Sequence, residues 1–378
     1  MTKDKFHEEI SNQNVSQPSN NCSLLQKLSM TKAFPSIARR LKNIGIKLLN
    51  MGTFLITRFI ENWKRYFLGD TVEVSPSPSP SFDVRPSLAG PVLSLGGGGP
   101  DVDDAIQWMI NQVRGGSNSA TKVNVVVLRT NGNHDYNRLI YAMTGVNFVE
   151  TLLIRNREEA NKAEIFEKIK KADVVFFAGG DQCQYIRNWK DTKLEAAVKS
   201  VYLKGGGVGG TSAGAMIQSD CVYDACASSE KGIETRDALE DPYRDITFTY
   251  NFFNWSNLKG TIVDTHFDRR ERMGRIMAFI ARQIKDGISS SVLGIAVSES
   301  TSVLVDKNGL VKVMGRGAAY FVLGNHTPEV CEPRTPLTFS NYKIWRVRSG
   351  DTFNLKNRPT SGYYLRSVKR GRIDSNPY

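Results

Sequence analysis

Histidine is scarce in this chain of 378 residues: His7, His134, His266 and His326 are the whole supply. Any imidazole base or ligand must come from those four. Cysteine is nearly as sparse, and Cys22, Cys183, Cys221, Cys226 and Cys331 are odd in number and contain no C-x-x-C pair. Neither a disulfide framework nor a structural zinc site is expected, and a reducing compartment is. No uninterrupted apolar run approaches the roughly eighteen residues that a membrane-spanning helix needs. The first thirty residues are polar and lack the apolar stretch of an ordinary secretory signal. A cytoplasmic protein is the resulting expectation, with peripheral membrane association left to the basic segment described next.

Acidic residues are short overall, giving a formal charge of +12. The excess is confined to the ends. Residues 1–90 carry 12 Lys/Arg against 7 Asp/Glu, residues 340–378 carry 9 against 2, and the stretch between is balanced at 29 of each. A nucleic-acid enzyme would concentrate basic charge around its groove, so no nucleic-acid partner is expected.

Four zones follow. Residues 1–34, rich in Ser, Asn and Gln without a period, read as a disordered tail. Residues 35–70 place Leu41, Ile44, Leu48, Met51, Leu55 and Phe59 at three- and four-residue steps among arginines and lysines, the pattern of a separate amphipathic basic helix. Its residues 35–68 suit either an anionic membrane surface or packing on the domain or on a second copy in a homodimer. Residues 71–90 include Ser75-Pro76-Ser77-Pro78-Ser79-Pro80-Ser81, a stiff linker. From residue 91 to 378, apolar runs such as Val123–Leu128 and Val174–Phe177 alternate with helical stretches. That alternation predicts an α/β catalytic domain: a mostly parallel sheet with helices on both faces, plus antiparallel C-terminal strands.

The sharpest local signal is Gly210-Thr211-Ser212-Ala213-Gly214. A serine between glycines at a strand-to-helix junction forms a nucleophile elbow, because the turn is too tight for neighbouring Cβ atoms. The backbone N–H groups after it face a developing oxyanion. The serine needs a base. His266, in Val263-Asp264-Thr265-His266-Phe267, sits at a strand end and is favoured by position; His134 and His326 are the rivals. For the acid that orients the base, Glu299, Asp264, Glu230 and Asp224 remain open. Two further clusters read as recognition elements. Gly179-Gly180-Asp181-Gln182 would expose backbone amides after a strand. Arg272 and Arg275, three residues apart on a helix near Arg269 and Arg270, could grip a carboxylate or simply form a solvated face.

Four motifs in order then resemble one family. Phe176-Phe177-Ala178-Gly179-Gly180-Asp181-Gln182, Gly209-Gly210-Thr211-Ser212-Ala213-Gly214-Ala215, Asp264-Thr265-His266-Phe267 with Arg270, Arg272, Gly274 and Arg275, and Gly294-Ile295-Ala296-Val297-Ser298-Glu299-Ser300-Thr301 resemble the cyanophycinases of serine-peptidase family S51. The resemblance covers most of residues 91–350. It implies a class-I glutamine-amidotransferase-like sheet and a Ser212, His266, Glu299 triad. Gln182, Asp264, Arg270, Arg272 and Arg275 would then line the substrate pocket, with oxyanion amides at Gly180 and Ala213. It also implies hydrolysis of a poly-aspartate/arginine storage polymer to β-aspartyl-arginine dipeptides, without metal or cofactor. In that pocket the arginines would hold carboxylates and Asp264 a guanidinium. Short aspartyl or other acidic peptides are the alternative substrates, and a catalytically silent polymer-binding protein is the alternative to an enzyme. Thr265 and Ser298 depart from the glutamine and aspartate usual in the family before the base and the acid.

Overall fold

The computed structural model describes residues 87–227 and 232–378. The expected tail, the amphipathic segment with its membrane or second-copy contact, most of the Pro/Ser linker and the candidate acid Glu230 lie outside the described residues.

Five strands build the centre: β1 (Val92–Gly96), β2 (Val123–Arg129), β3 (Val146–Leu153), β4 (Val174–Phe177) and β5 (Gly207–Thr211). They lie in the order β1-β5-β4-β2-β3 and every pair is parallel. Side chains alternate between faces along a strand, and here both faces are covered. Val123, Val125 and Val127 meet Ile106, Met109 and Ile110 of the helix Asp103–Val113. Val126 and Leu128 turn the other way, into a core shared with Trp189, Val198 and Val201 of the helices Gln182–Trp189 and Lys193–Leu203. A strand buried on both sides has no polar positions to spare, which is why Val125–Leu128 and Val174–Phe177 read as unbroken apolar runs.

After the short antiparallel pair β6 (Cys221–Tyr223) and β7 (Phe248–Tyr250), the chain adds β8 (Thr261–Asp264), β9 (Val292–Val297), β10 (Thr301–Val305), β11 (Leu310–Gly315) and β12 (Ala318–Gly324). It ends with β13 (Phe339–Arg348), β14 (Thr352–Asn354), β15 (Tyr364–Lys369) and β16 (Arg372–Ile373). β10, β11 and β14 extend the large sheet antiparallel from β1, completing eight strands. The fold is thus α/β with a mostly parallel centre, as its sequence pattern predicts.

One feature differs from the sequence reading. β8 and β9 do not join the central sheet but form the parallel edge of a second, six-stranded sheet ordered β16-β15-β13-β12-β9-β8. Leu293, Ile295 and Val297 of β9 pack into the same core as Val175 and Val208, so the second sheet lies against one face of the first. The amphipathic helix Met273–Lys285 covers its other side, where Ile276, Phe279 and Ile280 are fully buried. Each such side chain contributes about 1.5–3 kcal/mol of burial. No helix among the described residues is long and apolar enough to cross a membrane.

Candidate active site

Ser212 occupies the tip of β5 with φ 53° and ψ −123°, a left-handed conformation that costs a non-glycine residue about 1–3 kcal/mol. The chain reverses at once into the one-turn helix Ala213–Met216. Gly214 is obligatory there, since a Cβ on it would stand 2.3 Å from the carbonyl oxygen of Phe177. The elbow therefore exposes one hydroxyl at the carboxyl end of the parallel strands.

His266 follows β8 and Glu299 follows β9. Ser212 Oγ lies 2.8 Å from His266 Nε2, and His266 Nδ1 lies 2.7 Å from Glu299 Oε1. The second Glu299 oxygen accepts from Arg269 Nη1 at 3.0 Å. His266 and Ser300 share the positive φ of Ser212, at 52° and 53°. A glycine run after β1 joins all three loops. The carbonyl of Gly96 accepts the Ser212 N–H at 2.9 Å, that of Gly97 accepts the His266 N–H at 2.7 Å, and that of Gly98 accepts the Ser300 N–H at 2.9 Å. Two sheets are thereby held at one point by consecutive peptide groups. Four successive glycines, Gly96–Gly99, at the end of a buried strand are the sequence signal for this role.

Electrostatics favour a neutral imidazole. Burial lowers the His266 pKa below the ordinary 6.5; the Glu299 hydrogen bond opposes this, while the positive Arg270 and Arg272 reinforce it. Burial pushes Glu299 upward, but hydrogen bonding and attraction to His266, joined by Arg269, outweigh it and hold the carboxyl below its usual range. A base must be unprotonated to accept a proton. The acid limb of a kcat/KM profile, measured from about pH 4 to about pH 9, should therefore have its midpoint below the ordinary histidine value. A midpoint above 6.5 would contradict the assignment of His266 as the titrating base.

The hydroxyl opens into a cavity of about 480 Å³. Gly180 and Ala213 border it beside Ser212, and Gln182, Arg270, Arg272 and Arg275 also line it. Tyr185 fixes the Gly179–Gly180 turn: its hydroxyl lies 3.0 Å from the carbonyl oxygens of Ala178 and Gly179. Asp264 is elsewhere. It is fully buried beneath the arginines, paired in fork geometry with Arg275 through Nη2 and through Nε at 2.7 Å, and lies 3.6 Å from Arg272 Nη1. The expected contact of Asp264 with a substrate guanidinium is thus corrected: its charge is spent inside the protein, where a buried guanidinium requires it. Arg272 also donates to the carbonyl of Thr265 at 2.7 Å. Burial, followed by repulsion from Arg275, lowers the Arg272 pKa to about 9 despite Asp264. Arg270 is exposed and has no ion-pair partner among the described residues.

The remaining candidates are placed apart from Ser212. His134 is exposed ahead of the helix Asp135–Tyr141, and His326 is exposed with its ring edge-on to Phe339 at 4.7 Å. Asp224 accepts from the Cys226 N–H at 3.0 Å and the Thr249 hydroxyl at 2.9 Å. Thr265 and Ser298, the two departures from the family pattern, are both buried, and neither hydroxyl finds a hydrogen-bond partner among the described residues. The expectation that cysteines remain unpaired is overturned by a Cys183–Cys226 disulfide. Pairing depends on separation in space, 5.1 Å between Cα atoms here, and a sequence separation of 43 residues gives no hint of it.

An elbow serine, an imidazole and a glutamate thus stand in hydrogen-bonded sequence, the order of groups that serine hydrolases use. Residues 138–311 match the model of Peptidase family S51. The cyanophycinase of Trichormus variabilis is 27% identical over 225 residues, covering 58% of this chain and 69% of that protein. That of Geminocystis herdmanii is 26% identical over 231 residues, 59% and 78% of the two chains. The cyanophycinase of Synechococcus elongatus is 25% identical over 222 residues, 57% and 63%. A solved peptidase from an acI-B1 actinobacterium aligns with a TM-score of 0.49 at 17% identity, covering 71% of this chain and 98% of that one. The chain is similar to peptidase family S51 across these residues and is a serine-type peptidase.

Proposed function

We propose that this peptidase is a cyanophycinase-like exopeptidase, with Ser212 as nucleophile, His266 as general base and Glu299 as the acid that orients it. The observation that carries this reading is the continuous Ser212–His266–Glu299 relay opening into an arginine-lined cavity. In the first half-reaction Ser212 Oγ attacks an aspartyl peptide carbonyl as His266 Nε2 takes its proton. The N–H groups of Gly180 and Ala213 stabilise the oxyanion. Collapse expels the amine, which leaves with the proton from His266. Water, deprotonated by the same imidazole, then releases the acyl group and regenerates the serine.

The substrate class follows from the lining. Arg270 and Arg272 suit a carboxylate, and Gln182 supplies a neutral amide. Both the poly-aspartate/arginine polymer and short acidic peptides carry such carboxylates. The pairing of Asp264 with Arg275 keeps short acidic peptides as a second reading, because it leaves one fewer anion for the polymer's guanidinium groups. Assaying the full chain with the polymer and with aspartyl dipeptides separates them. Release of β-aspartyl-arginine dipeptides from the polymer is the expected result. Turnover of the dipeptides with an untouched polymer would transfer the assignment to short acidic peptides.

A further inference from the structure

Both half-cystines of the Cys183–Cys226 disulfide line the cavity, their Cα atoms 5.1 Å apart, and so join two chain segments that border it. Cys183 is the second residue of the helix Gln182–Trp189, and its N–H donates to the capping carboxylate of Asp181 at 2.8 Å. The sulfur is thus one residue from Gln182 and three from Gly180, on the turn that faces Ser212. Cys226 belongs to the segment leaving β6. That segment is fixed at its start by Asp224, which accepts from the Cys226 N–H and from the hydroxyls of Thr247 and Thr249. Beyond the cavity, the Ile233 N–H donates to the Tyr223 hydroxyl at 2.9 Å, and the Ile233 carbonyl accepts from Arg275 Nη1 at 3.2 Å. Among the described residues, the disulfide is the covalent tie between this segment and the Gly180–Gln182 turn. The Ser212–His266–Glu299 relay does not depend on it, because the carbonyls of Gly96, Gly97 and Gly98 hold that relay from β1.

We propose that the Cys183–Cys226 disulfide is a specificity determinant that sets the width of the substrate cavity, so that substrate affinity follows its redox state while serine reactivity does not. The inference rests on the serine-peptidase reading of the site. A dithiol supplies the two electrons and two protons that convert the disulfide to two thiols, and is itself oxidised to a cyclic disulfide. With the covalent tie broken, the Asp224–Cys226 segment and the Gln182 helix can separate, which widens the cavity they both line. Lost contacts of this kind appear in KM rather than in kcat.

The test compares the unreduced enzyme, the enzyme in excess dithiothreitol, and the Cys226→Ser and Cys183→Ser variants. KM and kcat are measured on whichever of the polymer or an aspartyl dipeptide is turned over. Phosphonylation of Ser212 by a small fluorophosphonate, which needs the nucleophile but not the substrate contacts of the disulfide-linked segments, is timed in parallel. Reduction and either variant should raise KM about tenfold, leaving kcat and the phosphonylation rate within about threefold. Cys331→Ser, at a buried thiol outside the cavity, should match the unreduced enzyme and still respond to dithiothreitol. An unchanged KM after the linked Cys183 and Cys226 peptides have disappeared from digests would overturn the inference. So would finding those peptides unlinked in the unreduced enzyme, or a phosphonylation rate that falls in step with kcat/KM. Failure of the unreduced enzyme to label at Ser212 would instead overturn the serine-peptidase reading itself, and this inference with it.

Discussion

Ser212→Ala should lower kcat by about 10⁴-fold or more while leaving substrate binding nearly unchanged. The reason is geometric. Among the described residues, the His266 Nε2 atom has the Ser212 hydroxyl as its hydrogen-bonded partner, at 2.8 Å. Without that oxygen no covalent intermediate forms, and only the binding contacts and oxyanion amides remain to assist water. Alanine retains the Cβ, so it inherits the positive φ of the elbow and the fold should be little disturbed. Equilibrium binding of the polymer or an aspartyl peptide to the variant, beside kcat for both proteins, separates the two effects. Residual turnover within about a hundredfold of the parent enzyme would rule out Ser212 as the nucleophile.

Gly98→Ala should cost about 10²–10³-fold in kcat although the residue carries no functional group. A Cβ on Gly98 would stand 2.4 Å from His266 Cε1 and 2.5 Å from Nε2, closer than real carbon contacts allow. Either the imidazole shifts or the glycine run withdraws. Both outcomes lengthen the Ser212–His266 contact, and a withdrawn loop also loosens the carbonyl that holds Ser300 beside Glu299. Strain alone has a matched control. Gly98 has φ +85° and Gly115 has φ +87°, but a Cβ on Gly115 meets nothing within 4 Å. Gly115→Ala should therefore share the conformational cost, about 1 kcal/mol or somewhat more, and keep full activity. Equal activity losses in the two variants would show that backbone strain, and not crowding of the imidazole, was responsible. The phosphonylation rate of Ser212 should fall with kcat in Gly98→Ala, which distinguishes loss of nucleophile activation from loss of substrate contacts.

Much of the architecture was legible because burial constrains residue type. Val125–Leu128 and Val174–Phe177 had to be apolar on both faces to lie inside a covered parallel sheet, so their type could be read directly. The elbow was equally legible, since only glycine fits beside a turn that brings residue 214 against the Phe177 carbonyl. The division of the strands between two sheets was not. Leu293–Val297 reads the same whether it extends one sheet or lies against another, because apolar alternation reports burial and not the identity of the neighbour. Asp264 was misread for a related reason: an acid beside arginines looks identical on paper whether it faces substrate or a buried guanidinium.

The sequence by itself determined which groups the site could draw on: one elbow serine, four histidines to choose from, and glycines wherever the chain must turn or pass closely. Tertiary structure alone decided which of them meet. The three loops that carry Ser212, His266 and Glu299 come from two different sheets, and the carbonyls of a third segment register them. The same holds for Cys183 and Cys226, and for Asp264 with Arg275. Hydrogen bonds, ion pairs and disulfides act over a few ångströms, and separation along a chain does not determine separation in space.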